Sequence, residues 1–319
     1  MIQSPFAWIG DQLDRAFHSV GSSSDEDYWH ENRQADAVTV RRIRMADLGQ
    51  ALTSGLADFA ANRTDVIFLC VIYPLVGLML GRLASGYDVV PLLFPLASGF
   101  ALVGPLAAVG LIEMSRRREL GADVSWTDWF GVFRSPSIGA VIGLGLWLIA
   151  IFVLWLVVAE VIYVATFGSE PPVSIAAFIR DVFTTTQGWT MIVLGVGVGF
   201  LFAVVALCIS VVSFPLMLDR HASAGDAMVT SLRAVAKNPM PMAAWGLIVA
   251  VLLVLGSLPF FLGLAVVIPL LGHATWHLYR AVIAPDPNPR PIPPRPQLER
   301  RSAADFPSAL FSWRRKSGG

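Results

Sequence analysis

The chain carries six apolar runs, at 66–84, 90–114, 138–164, 189–217, 241–258 and 261–281. A helix rising about 1.5 Å per residue needs about 20 residues to cross the hydrocarbon core of a bilayer. Five of the runs meet or exceed that length, and 241–258 sits at its short end. The stretch 241–281 is nearly unbroken, too long for one span and right for two. Gly256, Ser257 and Pro259 supply the break, because proline disfavours helix at the residue before it. Composition agrees: 55% of the residues are hydrophobic, only 14% are charged and mean hydropathy is +0.64. Soluble domains run near a quarter charged. The expected fold is all-α: a polytopic membrane helix bundle of six transmembrane helices.

Orientation follows from lysine and arginine placement. With six spans, 21 of the 23 basic residues fall on one side, and only Arg82 and Arg180 on the other. A five-helix count would put the basic tail outside. Both termini are therefore expected in the cytoplasm, in a cell inner (plasma) membrane. Formal net charge is zero, so no nucleic-acid partner is implied. The polar N-terminus shows no basic start followed by an apolar core, and no secretory signal peptide is read there. Cys70 and Cys208 lie in apolar runs and form no metal or disulfide pattern.

Three segments follow. Residues 1–44 form a cytoplasmic N-terminal segment, partly disordered, with one short amphipathic helix carrying Phe6, Ile9, Leu13 and Phe17. Residues 45–283 form the transmembrane domain, and 284–319 a Pro-rich basic cytoplasmic tail whose alternating prolines favour polyproline II. A second amphipathic helix, 46–62, presents Leu48, Leu52, Leu56 and Phe59 as its apolar stripe. On the outer side, Ile175, Phe178, Ile179 and Phe183 predict an interfacial helix.

The cytoplasmic segments resemble one another. At an offset of 176, Ala51 matches Ala227, Leu56 matches Leu232 and Asn62 matches Asn238. The middle loop offers Trp126, Trp129, Phe130 and Phe133 at helical spacing. This predicts a three-fold hairpin repeat, each unit an amphipathic cytoplasmic helix followed by a transmembrane hairpin.

The candidate polar sites are few. Glu160 lies in the third span; an intramembrane carboxylate is costly to bury and points to function, unless it simply reaches the interface. Glu113 ends the second span, Asp219 and Arg220 the fourth, and His273, His277 and Arg280 the sixth. His273 and His277 share a helix face at a spacing that can bind metal. No HExxH motif or nearby acidic ligand accompanies them, so no metal is assigned. The alternative is that these groups pair across helix ends and fix packing. No catalytic residue, cofactor or nucleophile–base pair is read.

Several pieces together resemble a family of uncharacterised bacterial integral membrane proteins catalogued as domain of unknown function 2189. They are Ala46-Asp47-Leu48 followed by Ala51-Leu52, Gly55, Asp58-Phe59 and Asn62, then Ile72-Tyr73-Pro74-Leu75-Val76-Gly77, Gly104-Pro105-Leu106, Glu113-Met114-Ser115-Arg116-Arg117, Ser213-Phe214-Pro215-Leu216-Met217-Leu218-Asp219-Arg220 and Gly272-His273-Ala274-Thr275-Trp276-His277-Leu278-Tyr279-Arg280. The resemblance covers about 45–283 and implies a membrane location and a six-helix body, but no activity. The leading functional expectation is a structural or interaction protein, not an enzyme. Its partners are the lipid bilayer and a protein at the cytoplasmic face or the Pro-rich tail. The alternative is a transporter or channel for a small solute or ion.

Overall fold

A computed structural model describes residues 38–61, most of 102–170, 172–258 and 263–285, with Pro91, Pro95 and Leu96. The N-terminal helix at 6–17, the first span, most of the second and the Pro-rich tail lie outside the described residues. Within them the regular structure is helical: α1 (Met45–Ala61), α2 (Val109–Glu119), α3 (Ile138–Phe167), α4 (Ile175–Thr184), α5 (Thr186–Ser210), α6 (Ser213–Arg220), α7 (Ala224–Lys237), α8 (Pro239–Ser257) and α9 (Leu264–Val282).

Among the described residues, three stretches are long and apolar enough to cross a membrane: α3, α5 continuing into α6, and α8. Their outward faces are apolar. Phe200 is 65% exposed and Leu247 65%, in a belt that also contains Val161, Leu201 and Val254. A water-soluble monomer rarely exposes a contiguous apolar patch of this extent, whereas acyl chains are its natural solvent. At 30 residues, α3 is about 45 Å long and exceeds the hydrocarbon core. It ends at Gly168, whose φ of +88° suits glycine. Ser174 and Thr185 then cap α4 and α5 by accepting from the amides of Ala177 and Gly188. The segment 175–184 is helical as expected, and Phe178 packs on Tyr163 and Phe167.

The fourth apolar run is not one straight helix. It breaks at Val211–Val212, between α5 and α6. Pro215 has no amide to give the carbonyl of Val211, and its ring crowds that carbonyl. Ser210 and Ser213 bond back to the carbonyls of Ala206 and Ile209, a habit that bends helices. The amide of Val212, left over at the break, donates to Ser231 of α7. At 241–281 the expected break is present: α8 ends at Ser257 and α9 begins at Leu264. A Cβ on Gly263 would meet Gly256 at 2.8 Å, so the tight pairing of α8 and α9 needs both glycines. α9 differs from the other long helices. It carries Pro269, His273, His277 and Arg280, and its second half is almost wholly buried.

That burial comes from the ends of the other helices. We call this end of the molecule, where α2, α6 and α9 finish and α3 and α8 begin, the polar end. Here α1 lies along α9, α7 packs on α5 and α6, and Trp129, from the loop before α3, covers Gly110 of α2. α1, the first described helix, thus rests on α9, the last. The extended residues 38–44 tie this closure. Val40 bridges Ile283, Ala284 N donates to Thr39 O, and the Asn238 side chain accepts from Ile43 N and donates to Arg41 O.

The buried face of α1 is rotated from the expected stripe. Leu48, Ala51, Gly55 and Asp58 are buried, while Leu56 is 51% exposed and Leu52 and Phe59 half-buried. Close approach decides the rotation. Gly55 meets the Ala274 backbone so tightly that a Cβ there would lie 2.6 Å from its nitrogen. A large side chain cannot sit in that crossing, so the bulky apolar stripe is turned outward. Gly55→Val should lower stability by about 1–3 kcal/mol or more through overpacking. Gly49→Val, at a position open on every side, should cost far less. Thermal unfolding in detergent compares the two, and equal losses would count against the crossing.

Candidate functional site

The docking of α1 carries one carboxylate into the protein. Asp58 is 6% exposed, and its Oδ2 is the centre of a short chain of polar groups. The Ser115 hydroxyl donates to it at 2.6 Å, and His277 Nε2 lies 2.9 Å away. The Arg118 guanidinium stands 3.3 Å from the other oxygen. Ser115 Oγ is also 2.8 Å from His273 Nδ1. A hydroxyl has one proton to give, and Ser115 gives it to Asp58, so Nδ1 of His273 is the protonated nitrogen and donates to Ser115. The order is His273 to Ser115 to Asp58, with His277 donating from the far side. Burial alone would raise the Asp58 pKa. Hydrogen bonds from His277 and Ser115, and the charges of the two histidines, outweigh it and hold the carboxyl below its ordinary value.

Two further carboxylates are held beside it. Glu113, 4% exposed, accepts from Arg116 Nε and from Arg117 Nε, each at 2.7 Å, so the acid is neutralised by the basic run that follows it. Asp219 accepts the Tyr279 hydroxyl at 2.6 Å, with Arg220 Nε at 3.6 Å and Arg280 Nη1 at 3.9 Å. Arg280 turns its other nitrogen to Glu119 at 2.8 Å and stacks over Trp276, whose indole also donates to Glu119. At the start of α3, Ser137 donates to the carbonyl of Met217 and lies 2.7 Å from His221 Nδ1. His221 takes the left-handed conformation (φ 53°) that ends α6.

The structure thus brings together Glu113, Asp219, Arg220, His273, His277 and Arg280 at one end of the bundle, paired mainly with neighbours outside this set: Arg116, Arg117, Ser115, Asp58, Glu119 and Tyr279. Glu160 stands apart. It is exposed on the outer half of α3, 22 residues from the helix start and so about 33 Å along the axis. The acidic partner that the sequence around the two histidines lacks comes from α1, as Asp58. Ser115 and Glu119 are the other members that sequence reasoning missed. Asp58 did leave a trace: it continues the series of Leu48, Ala51 and Gly55 along one helix face. Among the described residues no three histidine, cysteine or acidic side chains are grouped as a metal site.

Chemically, the arrangement is a set of proton donors converging on carboxylates. Ser115 is 1% exposed and His273 is fully buried. The serine proton faces an acid rather than an imidazole base, the reverse of an activated nucleophile.

Residues 93–219 match a family model described as predicted integral membrane protein (DUF2189). The matched stretch contains the Glu113 run, α3, α5 and most of α6, and lies inside the 45–283 on which the resemblance in sequence rests. No curated protein and no solved structure matches the chain.

Removing the Asp58 carboxylate leaves Ser115, His277 and Arg118 without their acceptor, and Asp58→Ala should cost about 3–5 kcal/mol. The folded pKa of Asp58 is lowered. Its contribution is therefore complete above the unfolded value of about 3.9 and lost as pH falls through the folded value. Stability of the wild type should fall below about pH 4, and Asp58→Asn should be both less stable at neutral pH and flatter in that acid window. Unfolding curves between neutral pH and pH 3 measure this; parallel curves would remove Asp58 from the account.

Proposed function

From an integral membrane protein whose residues 93–219 match the DUF2189 family, we propose a scaffold: a six-span inner-membrane protein with both ends in the cytoplasm. Its cytoplasmic helices and Pro-rich tail dock lipid or a protein partner. The polar end described above is the cytoplasmic end in this reading, in keeping with the basic residues gathered there.

Three hairpins, each introduced by an amphipathic segment, make up the body. The burial registers of α1 and α7 support this reading at the sequence offset of 176. Leu48, Ala51, Gly55 and Asp58 are buried in α1, and Ala224, Ala227, Ser231 and Ala234 in α7. Leu56 and Leu232 are both exposed, at 51% and 46%. The lead-in contacts also run in one sense: α1 on α9, Trp129 on α2, α7 on α5 and α6.

One observation carries the choice of a scaffold. The charged groups at the cytoplasmic end are used on each other: Glu113 on Arg116 and Arg117, Asp58 on His277 and Arg118, Asp219 on Tyr279. A conducting path needs polar groups free to exchange partners with a solute. The remaining intramembrane acid, Glu160, faces outward about 33 Å away. Reconstituted in liposomes, the protein should pass no ion or small solute above the empty-vesicle rate, and Glu160→Gln should behave as the wild type. A reproducible flux abolished in Glu160→Gln would replace this reading with transport.

A further inference from the structure

Where residues 41–43 approach α1, they, the first half of α1 and the end of α9 line an open cavity of about 440 Å³. Its wall carries Arg41, Arg42, His277 and Arg280, with Asp47 and Gln50 opposite. Asp47 Oδ2 accepts the backbone amide of Arg44, which orients the carboxylate without cancelling its charge. Arg280 is matched by Glu119 and Asp219. Arg41 has no acidic partner among the described residues: its guanidinium donates to the carbonyls of Arg280 and Ile283. Those bonds fix the head group in position without cancelling its charge. Arg42 is exposed and makes no ion pair among the described residues. The cavity therefore holds two guanidinium groups with no acid paired to either among the described residues, one of them immobilised, against the single carboxylate of Asp47, while His277 beside them is engaged by Asp58. The guanidinium fork matches the spacing of phosphate oxygens and binds them in pairs.

We propose that this cavity is a binding site for a phosphate monoanion or dianion, carried either by an anionic phospholipid headgroup or by a soluble phosphate compound. The lipid source has its own support. The exposed apolar residues Met45 and Leu56, with half-buried Leu52, form a stripe on the side of α1 away from its cavity-lining residues. They would lie in the acyl region while the arginines reach the headgroup layer. The phosphate chemistry does not depend on the scaffold reading, so either can fail alone.

The full-length protein in detergent tests this with two probes. Inorganic phosphate, against chloride at matched ionic strength, is read by thermal shift. Micelles doped with phosphatidylglycerol or phosphatidylcholine are read by lipid retained in native mass spectrometry. The variants are Arg42→Gln, which breaks no internal contact, and Arg44→Gln, an exposed arginine outside the cavity. Preferential retention of phosphatidylglycerol, weakened about tenfold in Arg42→Gln and unchanged in Arg44→Gln, assigns the site to lipid. A phosphate-specific thermal shift lost in Arg42→Gln, without lipid preference, assigns it to a soluble compound. The proposal is overturned if the wild type shows neither response, or if both variants weaken binding equally, as a diffuse surface charge would.

Discussion

A carboxylate removed from water has to be met by donors from several directions, and at Asp58 that requirement organises the polar end. The donors come from elements far apart in the chain: Ser115 and Arg118 on α2, His277 on α9. None can reach Asp58 unless α1 lies flat against α9, and it lies flat because Gly55 and Ala274 have no bulk at the crossing. Steric closeness and charge satisfaction are thus one constraint. The glycine lets the helices approach, and the approach puts the acid within reach of its partners. Because Ser115 is joined to His273 as well, the same contact fixes the facing sides of α2 and α9.

The rest of the bundle has the opposite polarity. Away from this end the helices turn valine, leucine and phenylalanine outward, and burial falls to single residues such as Trp155 and Trp245. In lipid no hydrophobic force pulls such helices together, and packing and hydrogen bonds must do so instead. The strongest of these sit where the helices meet the interface. Small residues contribute at the other end, where Gly256 and Gly263 touch.

Much of this was legible in the sequence. Runs of apolar residues marked the long helices α3, α5 and α8, and Gly256 with Pro259 marked the turn before α9. The grouping of Glu113, Asp219, His273, His277 and Arg280 at helix ends was legible too, since each ends an apolar run. Other features were not. Hydrophobicity alone chose Leu48, Leu52, Leu56 and Phe59 as the apolar stripe of α1, and of these only Leu48 is buried, because a periodicity argument weighs side-chain size as attraction. At a close crossing size is an obstacle, and glycine, alanine and an acid took the face. Asp58 looked like an ordinary polar residue because its partners lie 57 and 219 positions away. The break at Val211 was concealed inside an apolar run, although Pro215 and two serines are its cause.

The contact between α1 and α9 has a consequence for how the chain is made. α1 leaves the ribosome first among the described helices and α9 last, yet each is the other's main partner. Until Val282 and Ala284 are available to bond Arg41 and Thr39, the earliest helix waits with its acid unmatched. Synthesis of the final hairpin is therefore the event that completes the fold, and a chain stopped before it is left with an open seam at the interface. Such a seam exposes Asp58 and the Gly55 groove together, the kind of surface by which quality control can tell an unfinished membrane protein from a finished one.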